Sequence, residues 1–137
     1  MSDAEAGVPP GGGPNLRVVA MPRDANPSGA IFGGWTLSMM DLAGGGFAAG
    51  VARGRVATVA IDAMQFLRPV AVGDEVSCWC SLVEAGEHSI KVRIETWARA
   101  RAHEEVEKVT EGVFTFVALD DDGRPRRIEP EDQAAAQ

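Results

Sequence analysis

Residues 31–52 read IFGGWTLSMMDLAGGGFAAGVA, a run of 22 residues whose single charge, Asp41, sits near the midpoint. A membrane span, a soluble buried helix and a glycine-rich nucleotide loop all compete for such a run. Its length and hydropathy permit a span. Against that, a charge at the centre of a span costs about 2.5–3.5 kcal/mol, and the flanking segments have the patterning of a soluble domain. Gly44, Gly46 and Gly50 form a GxGxxxG string, but inside the apolar run rather than directly after a strand, where a dinucleotide fingerprint belongs. The buried helix is the best reading.

At 100° per residue, Trp35, Met39 and Leu42 share one face of this helix, and Met40, Phe47 and Val51 share another. Asp41 falls between them, beside Ser38, Gly45, Ala48 and Ala52. Each glycine in the run 44–46 costs about 0.8–1 kcal/mol relative to alanine, so close approach by a sheet, a helix or a ligand has to offset roughly 3 kcal/mol. The expectation is a narrow slot with a carboxylate in its wall. Such a carboxylate either accepts structural hydrogen bonds or, shielded from water, works as a general base. The helix alone does not choose between them. Phe32-Gly33-Gly34-Trp35 opens the helix. Glycines there admit a substrate to the backbone, and the free N–H groups of a helix start stabilise a developing oxyanion such as that of a thioester carbonyl. An ordinary loop-to-helix turn explains the same residues.

Outward from the helix the period changes. Residues 16–21 are strand-like, and 22–30 hold two prolines, Asn26, Ser28 and Gly29 and read as a loop. After Arg53-Gly54-Arg55, residues 56–67 read as a strand and 69–74 as a turn. Residues 75–84 and 89–98 form a hairpin, 99–107 a charged connection and 108–119 a last strand. One strand, one long helix and four strands in a meander predict an α+β fold with an antiparallel sheet and the helix on one face. The domain spans 16–128, between a disordered tail at 1–15 and a flexible one at 129–137.

The net charge of −7 lies mostly in the tails, leaving −2 for residues 16–119, with twelve acids against ten bases. That speaks for solubility and against a nucleic-acid footprint. Cys78 and Cys80 lie two apart in a strand, with Cα atoms ~6.5–7 Å apart, at the edge of disulfide reach. With only His88 and His103 besides, a metal site is not expected, and reduced thiols suit a cytoplasmic setting. The N-terminus lacks the basic start and apolar stretch of a signal peptide. Trp79 and Trp97 fall in strands and are expected in the core or an interface.

In order, Met21-Pro22-Arg23-Asp24-Ala25-Asn26-Pro27-Ser28-Gly29-Ala30-Ile31-Phe32-Gly33-Gly34-Trp35, Met39-Met40-Asp41, Gly54-Arg55-Val56, Phe66-Leu67-Arg68-Pro69-Val70-Ala71-Val72-Gly73-Asp74 and Val113-Phe114-Thr115-Phe116-Val117-Ala118 resemble the hotdog-fold acyl-CoA thioesterases. The similarity is to the bacterial short-chain relatives of brain acyl-CoA hydrolase, and it departs at Ala30, where the family often has a polar residue. The resemblance implies a hotdog fold, a long central helix wrapped by a curved antiparallel sheet. It also implies a dimer with active sites at its interface, and a trimer of dimers. It makes Asp41 the catalytic carboxylate, general base or nucleophile, with Asn26 completing the site from the other protomer. The backbone of Gly33 and Gly34 would hold the thioester oxygen. The substrate is then acyl-CoA, hydrolysed to fatty acid and coenzyme A without a cofactor. Arg55, Arg68 and Lys91, with Ser89 beside them, are candidates for coenzyme A phosphates, although a strand-edge base is usually a solvated charge.

Two rival classes share the fold. A hydratase or dehydratase of acyl thioesters needs a histidine at the helix start, whereas His88 and His103 fall in a turn and a charged loop. A non-catalytic acyl-CoA sensor would not need Asp41. Serine-triad hydrolysis has no GxSxG to support it.

Overall fold

The computed structural model describes residues 8–136. The first seven residues of the expected N-terminal tail and Gln137 lie outside them. The strands are β1 (Leu16–Val19), β2 (Val56–Phe66), β3 (Glu75–Ala85), β4 (Ser89–Arg99) and β5 (Val106–Ala118), and the helices are α1 (Gly33–Ala52) and α2 (Pro130–Ala136). The strands form one antiparallel sheet in the order β1-β3-β4-β5-β2. It curls strongly around α1, which is the hotdog arrangement. The 22-residue run therefore lies inside a sheet, and no helix among the described residues is long and apolar enough to cross a membrane.

Alternation along β4 and β5 sets which side chains meet the helix. Ile90, Val92 and Ile94 of β4 and Phe114, Phe116 and Ala118 of β5 point inward, against Met40, Ala43, Ala48 and Ala52 of α1. Ser89, Lys91 and Arg93 alternate with the inward residues of β4 and so face the outer side. A second apolar cluster of Ala20, Ile31, Val70, Val76, Ala98 and Val109 closes the end of the sheet near the helix start.

The glycine run separates into two roles. A Cβ on Gly44 would lie 2.5 Å from Cδ1 of Ile94 and 3.0 Å from Cζ of Phe116, so the helix rests directly on the sheet there. Around Gly46 there is open space. The opposite side of α1 is correspondingly bare. Leu42, expected to share an apolar face with Trp35 and Met39, is 63% exposed, because the sheet covers only the Met40–Gly44 side.

The two ends of α1 are finished differently. No side chain caps its N-terminus. At the other end Arg53 adopts the left-handed conformation (φ 54°), and Nη2 of Arg126 donates to the Ala52 carbonyl at 2.7 Å, satisfying one of the carbonyls a helix end leaves free. Beyond Arg126, Ile128 is fully buried and its N–H donates to the Glu87 carbonyl at 2.6 Å. Residues 130–136, read as tail from composition, form α2, which Asp132 ties to Arg53 at 3.0 Å. At the N-terminal side, residues 12–15 run beside β3: Trp79 Nε1 donates to the Gly12 carbonyl at 3.1 Å, and Oδ1 of Asn15 accepts from the Cys80 N–H at 2.8 Å.

Because Gly44 is where helix and sheet touch, Gly44→Ala overpacks the core. We expect it to lower unfolding free energy by about 1–3 kcal/mol, despite alanine's better helix propensity. Urea denaturation checks this, and an unchanged or raised midpoint contradicts the close-approach account.

Candidate active site

Asp41 stands on the seam between α1 and the edge strand β2. Helical side chains lean toward the helix N-terminus, so its carboxylate meets Leu37 and Ser38 one turn back rather than the Gly45, Ala48 and Ala52 named from helical periodicity. Ala48 and Ala52 are instead core residues. Across the seam, Oγ1 of Thr58 donates to Oδ1 of Asp41 at 2.5 Å. Leu37, Ser38, Asp41, Thr58 and Ile61 line a cavity of about 170 Å³. Asp41 is half-buried, and among the described residues it has no ion-pair partner and no second hydrogen bond, which leaves Oδ2 open to the cavity.

Thr58 was missed from sequence, because only the sheet register reveals which way it faces. It pairs with Phe116, and Phe116 faces α1, so Thr58 is a polar residue on the inward side of β2.

Asn26 organises the loop before the helix. Its Oδ1 accepts from the Ser28 N–H at 3.0 Å, the Ser28 hydroxyl at 2.7 Å and the Ala30 N–H at 3.1 Å, while its own N–H donates to the Ala30 carbonyl at 2.6 Å. The turn needs Gly29, whose φ is +92°. With the oxygen committed, the side-chain NH2 is the part of Asn26 left to donate outward. Asn26 does not line the Asp41 cavity.

Gly33 and Gly34 are the first two residues of α1. Trp35 N–H already donates to the Phe32 carbonyl at 3.0 Å, whereas the N–H groups of Gly33 and Gly34 have no intrahelical acceptor. Gly33 packs close to the Phe66 ring and borders a second cavity of about 350 Å³. Eight residues separate it from Asp41, about 12 Å along the axis. Within one chain, then, the helix start and the carboxylate border separate cavities.

The family model matching residues 28–103 is that of the thioesterase superfamily. The chain belongs to the thioesterase superfamily. This superfamily member is 48% identical over 116 residues to the acyl-CoA thioester hydrolase YciA of Salmonella typhimurium, covering 82% of this chain and 87% of the relative. Its structure is similar to that of a hexameric thioesterase from Yersinia pestis (TM-score 0.82, 47% identity, 88% of this chain and 98% of that one). It is similar also to a hexameric broad-specificity acyl-coenzyme A thioesterase, solved as an aspartate-to-alanine mutant (TM-score 0.83, 43% identity, 90% of this chain and 91% of that one).

Of the four candidate phosphate contacts in this thioesterase-superfamily chain, Arg55, Ser89 and Lys91 flank the same end of β5, and Arg68 lies apart. Arg55 follows α1, with Nη1 3.5 Å from the carbonyls of Asp120 and Asp121, on a cavity of about 540 Å³ shared with Arg53, Arg126 and Asp132. Ser89 and Lys91 are on the outer face of β4, opposite Val117 and Thr115. Arg68 lies far from them, its guanidinium 2.8 Å from both Asp74 and Glu107 and donating to the Pro69 carbonyl at 3.0 Å. Asp74 is buried and also accepts from the Ala71 N–H at 3.0 Å. Arg68 is thus a brace for the turn into β3, a role that the spacing of charges in the sequence does not distinguish from phosphate binding.

The remaining titratable groups stay apart from Asp41. His88 and His103 are exposed and do not line its cavity. Both cysteines are free. Burial pushes the Cys78 thiol up, and burial together with neighbouring Cys78 pushes Cys80 up to about 12, which keeps both protonated and unreactive near neutral pH. Among the described residues no three His, Cys, Asp or Glu are grouped to hold a metal ion. Trp97 is buried, as expected for a core residue.

Arg68→Ala strips the buried Asp74 of its ion pair. The expected loss is about 2–3 kcal/mol of stability, read from urea denaturation. Lys91→Ala, at a half-buried position on the outer face, should stay within about 0.5 kcal/mol.

Proposed function

We propose that the chain is an acyl-CoA thioesterase in which Asp41 is the general base. The observation that carries the reading is the Asp41 carboxylate, held on one oxygen by Thr58 and open on the other to a small cavity, in a chain so similar to acyl-CoA thioester hydrolases. Oδ2 receives a proton from a water molecule as the water oxygen attacks the thioester carbonyl carbon. The carbonyl oxygen, becoming an oxyanion, is held by the N–H groups of Gly33 and Gly34. Collapse breaks the C–S bond, and coenzyme A leaves as a thiolate that takes up a proton. Thiolate is a good leaving group, so no strong acid is required. Water is the only co-reactant, and the scheme calls for neither metal nor organic cofactor.

Because Gly33 and Asp41 border separate cavities of one chain, the site is assembled from two copies. A second copy laid against α1 and β2 brings its own helix start, and the Asn26 amide beside it, to the first copy's Asp41. Two features support this arrangement: β2 is a sheet edge with one side unpaired, and Leu42 and Phe66 are apolar and 63% and 48% exposed beside it. We extend the same reading to a trimer of dimers, in keeping with solved relatives that are hexameric, and to a cytoplasmic setting, in keeping with two unpaired cysteines.

Free thiol release from acetyl-CoA through palmitoyl-CoA tests the activity, and no release at any chain length removes the proposal. Asp41→Asn is expected to lower kcat at least 100-fold, and Thr58→Val about 10-fold, both with little change in KM. The shared site makes a separate prediction. Asp41→Asn and Asn26→Ala proteins, each nearly inactive, should recover roughly a quarter of wild-type activity when refolded together in equal amounts, since half the dimers then carry one intact site. No recovery in such mixtures places the whole site within one chain.

A further inference from the structure

Every group that the proposed second copy brings to Asp41 is a hydrogen-bond donor. The N–H groups of Gly33 and Gly34 only donate. The Asn26 side chain has its oxygen committed to Ser28 and Ala30, which leaves its NH2. An attacking water has two hydrogens to place, so it needs two acceptors, and both have to come from the copy that carries Asp41. Oδ2 of Asp41 is one. Among the other residues around it, Leu37 and Ile61 have apolar side chains, and Thr58 is bonded to Oδ1, the opposite carboxylate oxygen. Ser38 is what remains.

Ser38 lies one turn before Asp41 on α1, a spacing that puts the two Cβ atoms about 5–6 Å apart. The Asp41 side chain leans toward the helix N-terminus, and so toward Ser38. The one hydroxyl hydrogen of Ser38 is spent on the Gly34 carbonyl at 2.9 Å. That bond fixes the direction of the hydroxyl and leaves its oxygen an acceptor beside the carboxylate. From this geometry we infer that Ser38 positions the attacking water, accepting the hydrogen that Asp41 does not take. The inference rests on the thioesterase reading above and adds a residue to it. Held by both hydrogens between Oγ of Ser38 and Oδ2 of Asp41, the water oxygen turns a lone pair toward the carbonyl carbon. That lone pair forms the new C–O bond while the hydrogen facing Asp41 passes to Oδ2 as a proton. The hydrogen facing Ser38 stays on the oxygen and ends in the carboxylic acid. The C–S bond then breaks, and its electron pair leaves with the thiolate.

A helical serine also bonds the carbonyl four residues back for purely local reasons, and methanol separates the two roles. Methanol has one hydroxyl hydrogen, for Asp41, and a methyl group where water has the hydrogen held by Ser38. Methanolysis of the thioester therefore bypasses Ser38 but shares Asp41 and the oxyanion donors with hydrolysis. The experiment turns over butyryl-CoA with methanol added and measures butyric acid, methyl butyrate and free thiol for the wild-type protein, Ser38→Ala and Ser38→Thr. Ser38→Ala should lower kcat for hydrolysis about tenfold, the worth of one hydrogen bond, with KM within about twofold. The ester-to-acid ratio should rise by the same factor. Alanine is the better helix former, so the urea midpoint should not fall. Ser38→Thr keeps a hydroxyl able to bond the same carbonyl and should restore both readouts. If the alanine variant does not fold, Ser38→Cys takes its place, sulfur being a weak acceptor. An unchanged kcat in the folded variant overturns the inference and leaves the thioesterase reading standing. So does an ester-to-acid ratio that fails to rise, whether because both reactions fall together or because no ester forms. A wild-type protein that releases no thiol from butyryl-CoA overturns both.

Discussion

The contact of Gly44 with Ile94 and Phe116 governs the rest of the architecture, because it fixes how α1 is rotated on the sheet. With no Cβ in the way, the helix backbone settles onto the inward side chains of β4 and β5, and that face can only be the one containing Met40, Ala43 and Gly44. Asp41, three residues before Gly44, is then about 60° around the axis. It lies neither in the dry centre of the interface nor on the open side of the helix. That position leaves the carboxylate half-buried, bonded to Thr58 on one oxygen and bordering a small cavity. The helical cost of Gly44 is offset by contact with the sheet, whereas Gly46 has open space around it in the single chain.

The same rotation leaves the molecule one-sided. The sheet ends at β2, whose outer edge is unpaired, and Leu42 and Phe66 expose apolar surface next to that edge. The chemical groups divide along the same line. Asp41 and Thr58 are in the middle of the α1–β2 seam, whereas the helix start, the Asn26 loop and the larger cavity lie toward its end. Gly33 and Asp41 border different cavities of the same chain. A second copy, approaching this same edge, is the economical way to unite the halves.

Charge elsewhere in the chain is used for structure. Arg68 and Asp74 clamp the turn between β2 and β3, and Arg126 holds the last carbonyl of α1. On the outer face, Lys108 pairs with Glu95 and Glu111, and Arg93 with Glu111. Except for the exposed Arg93, these groups are partly or largely buried, and each already has its partner. An approaching anion would have to displace partners already in place, which is why a basic residue near a mouth is a weak guide to phosphate binding.

The sequence by itself determined the five strands and the long central helix with its lone acid. A 22-residue apolar run with one acid and a meander of period-two strands specify a buried helix on an antiparallel sheet, because periodicity reports which faces are buried. The ordered motifs around Asn26, Gly33 and Asp41 pointed to one reaction. Only the tertiary structure decided what these residues touch. Thr58 meets Asp41 across 17 positions of chain, Leu42 is exposed and Arg68 is a brace rather than a free cation, since each outcome depends on which elements pack together. The α2 helix was likewise hidden in an acidic, alanine-rich end, because what ties it down is Arg53 of a distant segment and the burial of Ile128. Local pattern is written in neighbours along the chain, and contact is written in neighbours through space.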